Sequence, residues 1–290
     1  MRRDKQNGSI NRFSYPMKKT VLEIQDFQKA SPVLRNKFVA FLIKILFKWL
    51  DIDKVNQIHA NHCHLRGAAF TSAMLSDPLM NVKYKIHHEE RLNSLPEGAF
   101  ITVSNHPIGS LDGIILIDIF ASHRPDFRVM VNGFLENISA MGDNFISVQP
   151  KTDDNVTGNI SNVNGVRASL GQLKEGHPMG FFPAGAMSFR NKNKEVRDLP
   201  WTHSIIRLIR KAKVPVYPVY FDCKNTNFFY WLGNISWKIR TLFVAVQAFN
   251  KRGKTLDVYI GEQIPVATIQ GYKDDNDLAE FLYHTTYGLK

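Results

Sequence analysis

Residues 99–120 read AFITVSNHPIGSLDGIILIDIF, and this stretch decides the fold. Ala99 to Ser104 is a short apolar run that follows the turn residues Pro96-Glu97-Gly98, the pattern of a buried strand. Pro107 and Gly109 then break any regular element. Gly113 to Phe120 is apolar on nearly every side, which predicts a buried helix. A buried strand, a tight loop and a buried helix in that order form the repeating unit of a parallel α/β sheet.

The flanking sequence repeats the alternation. Val82 to His88, Phe127 to Val131, Phe145 to Val148, Met179 to Phe182, Val214 to Phe221 and Thr255 to Ile260 read as strands. Val166 to Lys174, Ser204 to Lys213 and Asp274 to Tyr287 read as helices. The expected fold is therefore α/β, with a mixed, largely parallel central sheet flanked by helices. Residues 1–83 form a basic N-terminal extension containing an amphipathic helix, and residues 84–290 form the α/β domain. The proline-bracketed run Val214-Pro215-Val216-Tyr217-Pro218-Val219-Tyr220 suits an edge strand or a strongly bent one, because proline cannot donate to a ladder.

Composition narrows the function. At 290 residues, 44% hydrophobic and 22% charged, the chain is neither disordered nor a multi-span membrane protein. Cys63 and Cys223 cannot build a disulfide framework, and the polar N-terminus shows no secretory signal, so a reducing compartment is expected. The net charge of +11 is concentrated at one end. Residues 1–50 carry eleven lysines and arginines against three acids, a net +8. Within that segment FVAFLIKILFKWL, Phe38 to Leu50, is too short to span a bilayer. Wound as a helix at ~100° per residue, it gathers Lys37, Lys44 and Lys48 on one narrow stripe beside a broad apolar face. Such a helix lies in a membrane interface with its basic edge against anionic headgroups, or else packs on a core with its lysine ends in solvent. No nucleic-acid recognition signature accompanies the charge. A second apolar stretch, Phe228 to Phe249, is divided by Lys238 and Arg240; its tryptophans, Trp231 and Trp237, suit either an interface or burial against the sheet.

The chemistry gathers in the loop Asn105-His106-Pro107-Ile108-Gly109-Ser110-Leu111-Asp112. A histidine at a strand end faces a cleft, and a short loop returns the Asp112 carboxylate to its ring. A carboxylate on one ring nitrogen fixes the tautomer and leaves the other nitrogen as a base for a hydroxyl attacking an acyl carbonyl. A second strand runs into the Gly/Pro loop Gly180-Phe181-Phe182-Pro183-Ala184-Gly185-Ala186-Met187-Ser188, whose backbone N–H groups suit an anionic ligand or an oxyanion. Ile108, Leu111 and Phe182 are candidates to hold an acyl chain, though each also reads as core.

In this order the three segments, over roughly residues 84–222, resemble the lysophospholipid (glycerolipid) acyltransferases, with motifs of the NHxxxxD, FPEG and VPxxPV types. The resemblance implies that residues 84–290 are an acyltransferase domain, peripheral on the cytoplasmic face of an anionic membrane. It would move a fatty acyl group from an acyl carrier protein or coenzyme A thioester to the hydroxyl of a lysolipid. His106 would be the general base and Asp112 its orienting partner. Asn105, Gly109, Ser110, Phe182, Pro183, Gly185, Ser188 and Arg190 would line the substrate site. No bound cofactor, metal or covalent acyl-enzyme is implied, since the thioester is already activated.

The chain departs from that pattern. Five residues separate His106 from Asp112 where four are usual, so the loop must bulge, a task suited to Gly109. Ala184 stands where the third motif has Glu, Ala186-Met187 where Thr-Arg commonly follow, and Phe145 to Gln149 lacks the arginine of the second motif. Without those cations a phosphate loses its bidentate partners. The FPAG form is similar to the haemolysin-like branch, which implies a lyso-aminolipid acceptor such as lyso-ornithine or lyso-glycine lipid. Lys151, Arg190 or Arg197 could instead restore the charge and keep 1-acylglycerol-3-phosphate open. A thioesterase or lipid hydrolase using the same pair, and a non-catalytic membrane-binding protein, are the readings from other classes; no G-x-S-x-G elbow is present. His59, His62, Cys63 and His64 cluster without a complete zinc-ligand spacing.

Overall fold

In a computed structural model, residues 18–23, 25, 36–132, 135, 137–148 and 163–290 are described. The basic residues before Lys18, the Lys37 side chain, Gln149 and the polar stretch containing Lys151, Asp153 and Asp154 lie outside them. Helices α1 (Lys37–Trp49), α2 (Ile52–His62) and α3 (Gly67–Ser76) lead into strand β1 (Lys83–His87). Strand β2 (Ile101–Ser104) and helix α4 (Leu111–His123) are followed by β3 (Arg128–Asn132), β4 (Phe145–Val148), α5 (Val163–Lys174) and β5 (Met179–Phe181). Next come the small strands β6 (Phe189–Arg190) and β7 (Val196–Arg197), then α6 (His203–Ala212) and β8 (Val216–Asp222). The chain closes with α7 (Asn227–Ile235), α8 (Trp237–Leu242), α9 (Val244–Phe249), β9 (Thr255–Ile260), α10 (Val266–Gly271) and α11 (Asp275–Tyr287).

Seven strands form one sheet in the order β1-β9-β8-β2-β5-β3-β4. Every pairing is parallel except β8 with β9, so the expected mixed, largely parallel sheet is present. β2, the first strand read from the sequence, is central and buried at all four positions, as a strand covered on both faces must be. One face packs on α3 and α4 through Phe70, Ile115, Phe120 and Phe127. The other packs on α5, α6 and α11 through Trp201, Ile206, Leu278 and Leu282. Ile58, Met74, Met80 and Val82 belong to the first of these cores, so α2 and α3 are part of the globular body. The buried Asp118 of α4 accepts hydrogen bonds from Thr71 (2.7 Å), Ser72 (2.5 Å) and Tyr84 (2.5 Å), tying α4 to α3 and β1.

β8 is not an edge strand: it lies between β9 and β2. Pro218 is tolerated there because the β8–β9 ladder breaks beside it. Val219 pairs with Ile260, yet the next bridge joins Val216 to Ile264, which leaves an extra residue on the β9 side. Gly261 donates to the Pro218 carbonyl at 2.7 Å, and a Cβ on Gly261 would collide with the proline ring. The bend expected from the prolines is thus a bulge of the neighbouring chain.

Gly261→Ala should lower stability by about 1–3 kcal/mol through that overlap, measured by denaturant unfolding. Gly271→Ala is the control, because a Cβ there meets nothing within 4 Å.

Candidate active site

The site forms where β2 and β5 run out of the sheet side by side. Asn105 fixes the end of β2: its Oδ1 accepts from Phe221 N at 2.7 Å and its Nδ2 donates to Phe221 O at 3.0 Å. His106 therefore leaves the sheet at a defined point, with its side chain 17% exposed. The following loop folds around Asp112, which is 0% exposed at the first turn of α4. Asp112 Oδ2 accepts from Ile108 N (3.0 Å), and Gly109 N (3.1 Å), and Oδ1 accepts from Gly113 N (3.1 Å). The same Oδ2 stands 3.0 Å from His106 Nδ1. This contact is an ion-pair approach rather than a well-aligned hydrogen bond. Gly109 has φ +101°, which only glycine adopts readily, and a Cβ on it would strike Met187. The fifth loop residue is absorbed there.

Burial disfavours a charged imidazole, but the Asp112 carboxylate outweighs it and holds the His106 pKa above its ordinary 6.5; Asp198 adds to the rise and Arg240 opposes it. Burial likewise works against the Asp112 carboxylate, yet His106 and the loop N–H groups keep its pKa below the usual range. Phe182 covers the imidazole, with ring centroids 4.2 Å apart. Asp198 clasps the two loops together: it accepts from His106 N (3.2 Å), Ser188 Oγ (2.5 Å) and Trp201 Nε1 (3.4 Å). Ser188 N donates to His106 O at 2.8 Å.

Residues 26–290 match the model of a family described as acyltransferase. The chain belongs to the acyltransferase family. It is 27% identical to a lyso-glycine lipid O-acyltransferase of Phocaeicola vulgatus, over 93% of this chain and 95% of that one. It is 29% identical to a lyso-glycine lipid O-acyltransferase of Bacteroides thetaiotaomicron, over 86% and 90% of the two chains. A solved 1-acyl-sn-glycerophosphate acyltransferase from Thermotoga maritima overlays with a TM-score of 0.47 and 14% identity, covering 86% of this chain and 94% of its own.

For an acyltransferase the geometry offers one nitrogen for chemistry. Nδ1 faces Asp112, so Nε2 is the nitrogen left to accept a proton from a hydroxyl. With a thioester as donor, the hydroxyl oxygen would bond to the acyl carbon and the intermediate would collapse with loss of the thiolate. The proton on Nε2 would go to that leaving sulfur.

The other residues expected at the site fall into two groups. Phe182 and Ser188 contact His106, and Gly109 donates to Asp112. Asn105 braces β2 against β8, and Pro183 O accepts from Thr202 N at 2.9 Å. Gly185 makes a left-handed turn (φ +65°) whose N–H is committed to Phe182 O. Ser110 Oγ is buried without a partner. Arg190 turns to Asn227 (2.7 Å) and the Tyr230 ring, and Arg197 to Glu195 and the Tyr287 ring. Ile108 and Leu111 are fully buried core residues. The histidine cluster disperses: His62 pairs with Asp77 at 2.8 Å, His59 with Lys19 O at 2.9 Å, and Cys63 is buried. Among the described residues no group of three or more such side chains gathers to hold a metal ion.

Sequence reasoning missed Asp198, Asn225 and Arg240. Asn225 Nδ2 donates to Pro107 O (3.1 Å) and Ile108 O (3.2 Å), holding the loop between His106 and Asp112 from beyond the end of β8. Arg240 Nη1 and Nη2 donate to Ser188 O (3.2 Å) and Met187 O (3.3 Å). Only the polarity of Arg240 inside an apolar run marked it in the sequence.

A general base at His106 would have to be neutral to act, and a raised pKa keeps the ring protonated to higher pH. The acid limb of the kcat/KM profile should therefore lie above pH 6.5. Asp112→Asn removes the charge that raises it, so the limb should move down while the rate falls by roughly 10²–10⁴-fold. His106→Ala should lose at least as much; full turnover in that variant would remove the imidazole from the mechanism.

Proposed function

We propose that this acyltransferase moves a fatty acyl group from a thioester to the hydroxyl of a lyso-aminolipid, of the lyso-glycine class, at a membrane surface. The observation that carries the reading is the His106–Asp112 pair, a base oriented by a fully buried carboxylate at 3.0 Å. The acceptor class is supported by the two relatives, both lyso-glycine lipid O-acyltransferases aligned over most of their length. It is also supported by the motif positions: Met187 stands where the third motif commonly has an arginine, the second motif has none, and Arg190 and Arg197 are engaged elsewhere. An acyl carrier protein or coenzyme A thioester fits the donor role, since either delivers the same activated carbonyl.

The surface supports a lipid partner. Phe38, Phe41, Leu42, Ile45, Leu46 and Trp49 of α1 are exposed, Trp49 by 69%. On α7 and α8, Phe228, Trp231, Ile235, Trp237, Ile239 and Leu242 are exposed as well. The two groups meet, with Trp49 against Phe243 (6.0 Å) and Phe243 against Phe228 (5.7 Å). A continuous apolar face with interfacial tryptophans exceeds what a monomer ordinarily leaves in water. Lys44 and Lys48 are exposed beside it, placed to meet anionic headgroups. No helix among the described residues is long and apolar enough to cross a membrane. The face is one that lies in the interface rather than through it.

Purified enzyme given an acyl thioester should acylate lyso-glycine lipid, read as the O-acylated product by mass spectrometry. Turnover of lysophosphatidate alone would overturn the acceptor assignment, and release of free fatty acid without acceptor would make the protein a thioesterase. Trp49→Ser with Trp231→Ser should weaken binding to anionic vesicles by about tenfold or more, read by co-sedimentation. Equal sedimentation would sink the membrane assignment.

A further inference from the structure

Arg240 is a buried cation that the acyl-transfer step leaves unused. It sits on α8, whose Trp237, Ile239 and Leu242 belong to the exposed apolar face, yet it turns inward and is 8% exposed. Room for it is made by Gly233 of α7, where a Cβ would lie 2.9 Å from the arginine Cδ. The guanidinium lies over the Phe229 ring at 5.4 Å. Two of its five N–H donors reach the Ser188 and Met187 carbonyls, and Nε is buried with no acceptor. Among the described residues, no carboxylate forms an ion pair with it. Burying a guanidinium without an anion is unfavourable, and a structure tolerates it where an anion arrives from outside.

The position specifies which anion. Ser188, which accepts from Arg240, donates its own N–H to His106 O, so the cation is one residue removed from the catalytic base. Its charge is felt at His106. A lipid with its chain among Trp237, Ile239 and Leu242 and its hydroxyl at His106 has its polar end within this small region. A glycine head group held through its nitrogen keeps a free carboxylate, the planar partner that a guanidinium fork binds in two places.

We infer that Arg240 receives the carboxylate of the acceptor's head group and selects a lyso-aminolipid over an uncharged lysolipid. The inference rests on the lyso-aminolipid reading above and adds the residue that enforces it. No such cation was supplied by the family's usual arginine positions, which this chain lacks.

The test compares lyso-glycine lipid with its glycine methyl ester, which differ in the carboxylate charge. Wild-type enzyme should prefer the acid by roughly tenfold to a hundredfold in kcat/KM, the worth of a charged hydrogen-bonded pair. In Arg240→Gln the preference should fall to within about threefold, with the loss for the acid carried mainly by KM. Arg240→Lys should restore part of it. A merely structural arginine would depress both acceptors equally and leave the ratio intact, and that result overturns the inference. So does a wild-type enzyme that takes acid and ester alike. Absence of turnover of the acid by wild type, with lysophosphatidate acylated instead, overturns the acceptor reading and the inference with it. Thermal unfolding of each variant separates misfolding from lost recognition.

Discussion

A carboxylate with no access to water, Asp112, organises the active end of this molecule. Removing a carboxylate from water costs several kcal/mol unless the protein replaces its hydration. Here the N–H groups of Ile108, Gly109 and Gly113 and the imidazole of His106 do so, at the first turn of α4, where the helix dipole also favours negative charge. Satisfying one buried oxygen pair therefore dictates the path of the whole loop from β2 to α4. The same demand explains why a loop one residue longer than usual still delivers the pair: Gly109 takes the left-handed conformation and returns its N–H to the carboxylate.

A second carboxylate extends this control to the neighbouring loop. Asp198 receives the backbone N–H of His106 and the hydroxyl of Ser188, so the strand ends of β2 and β5 cannot separate without stranding a buried group. Its own pKa is raised by burial, with Ser188 and His106 offsetting part of the rise. His106, the aromatic cover of Phe182 and the carbonyls that hold Arg240 thus form one connected unit resting on the parallel sheet.

The sheet and the His–Asp pair were legible in the sequence because both depend on local pattern. Apolar runs of strand length alternate with amphipathic or fully apolar helices, and Gly109 announced a bulge at the place where one occurs. What was hidden depended on distant partners. The prolines of β8 pointed to an edge, whereas the strand is interior, because the missing donor of Pro218 is absorbed by a break in the β9 ladder 43 residues away. Asp198 and Asn225 sit in polar loop sequence with no periodicity to mark them. Arg240 looked like an interruption of an apolar segment, because nothing within that segment reveals that two helix turns fold it back onto residues 187 and 188.

The charges around His106 form a balance that the acceptor itself can shift. Asp112 and Asp198 raise its proton affinity, while the Arg240 guanidinium lowers it. A carboxylate seated on Arg240 would neutralise that opposing charge, so the imidazole would become more basic when the acceptor's hydroxyl is beside it. Without the acceptor, the uncompensated Arg240 cation would hold the ring nearer its neutral form, ready to receive a proton. Head-group recognition and base strength are then consequences of one electrostatic arrangement. Because Arg240 is borne by the helix whose Trp237, Ile239 and Leu242 belong to the apolar surface, that arrangement would be assembled at the place where a lipid leaves the bilayer.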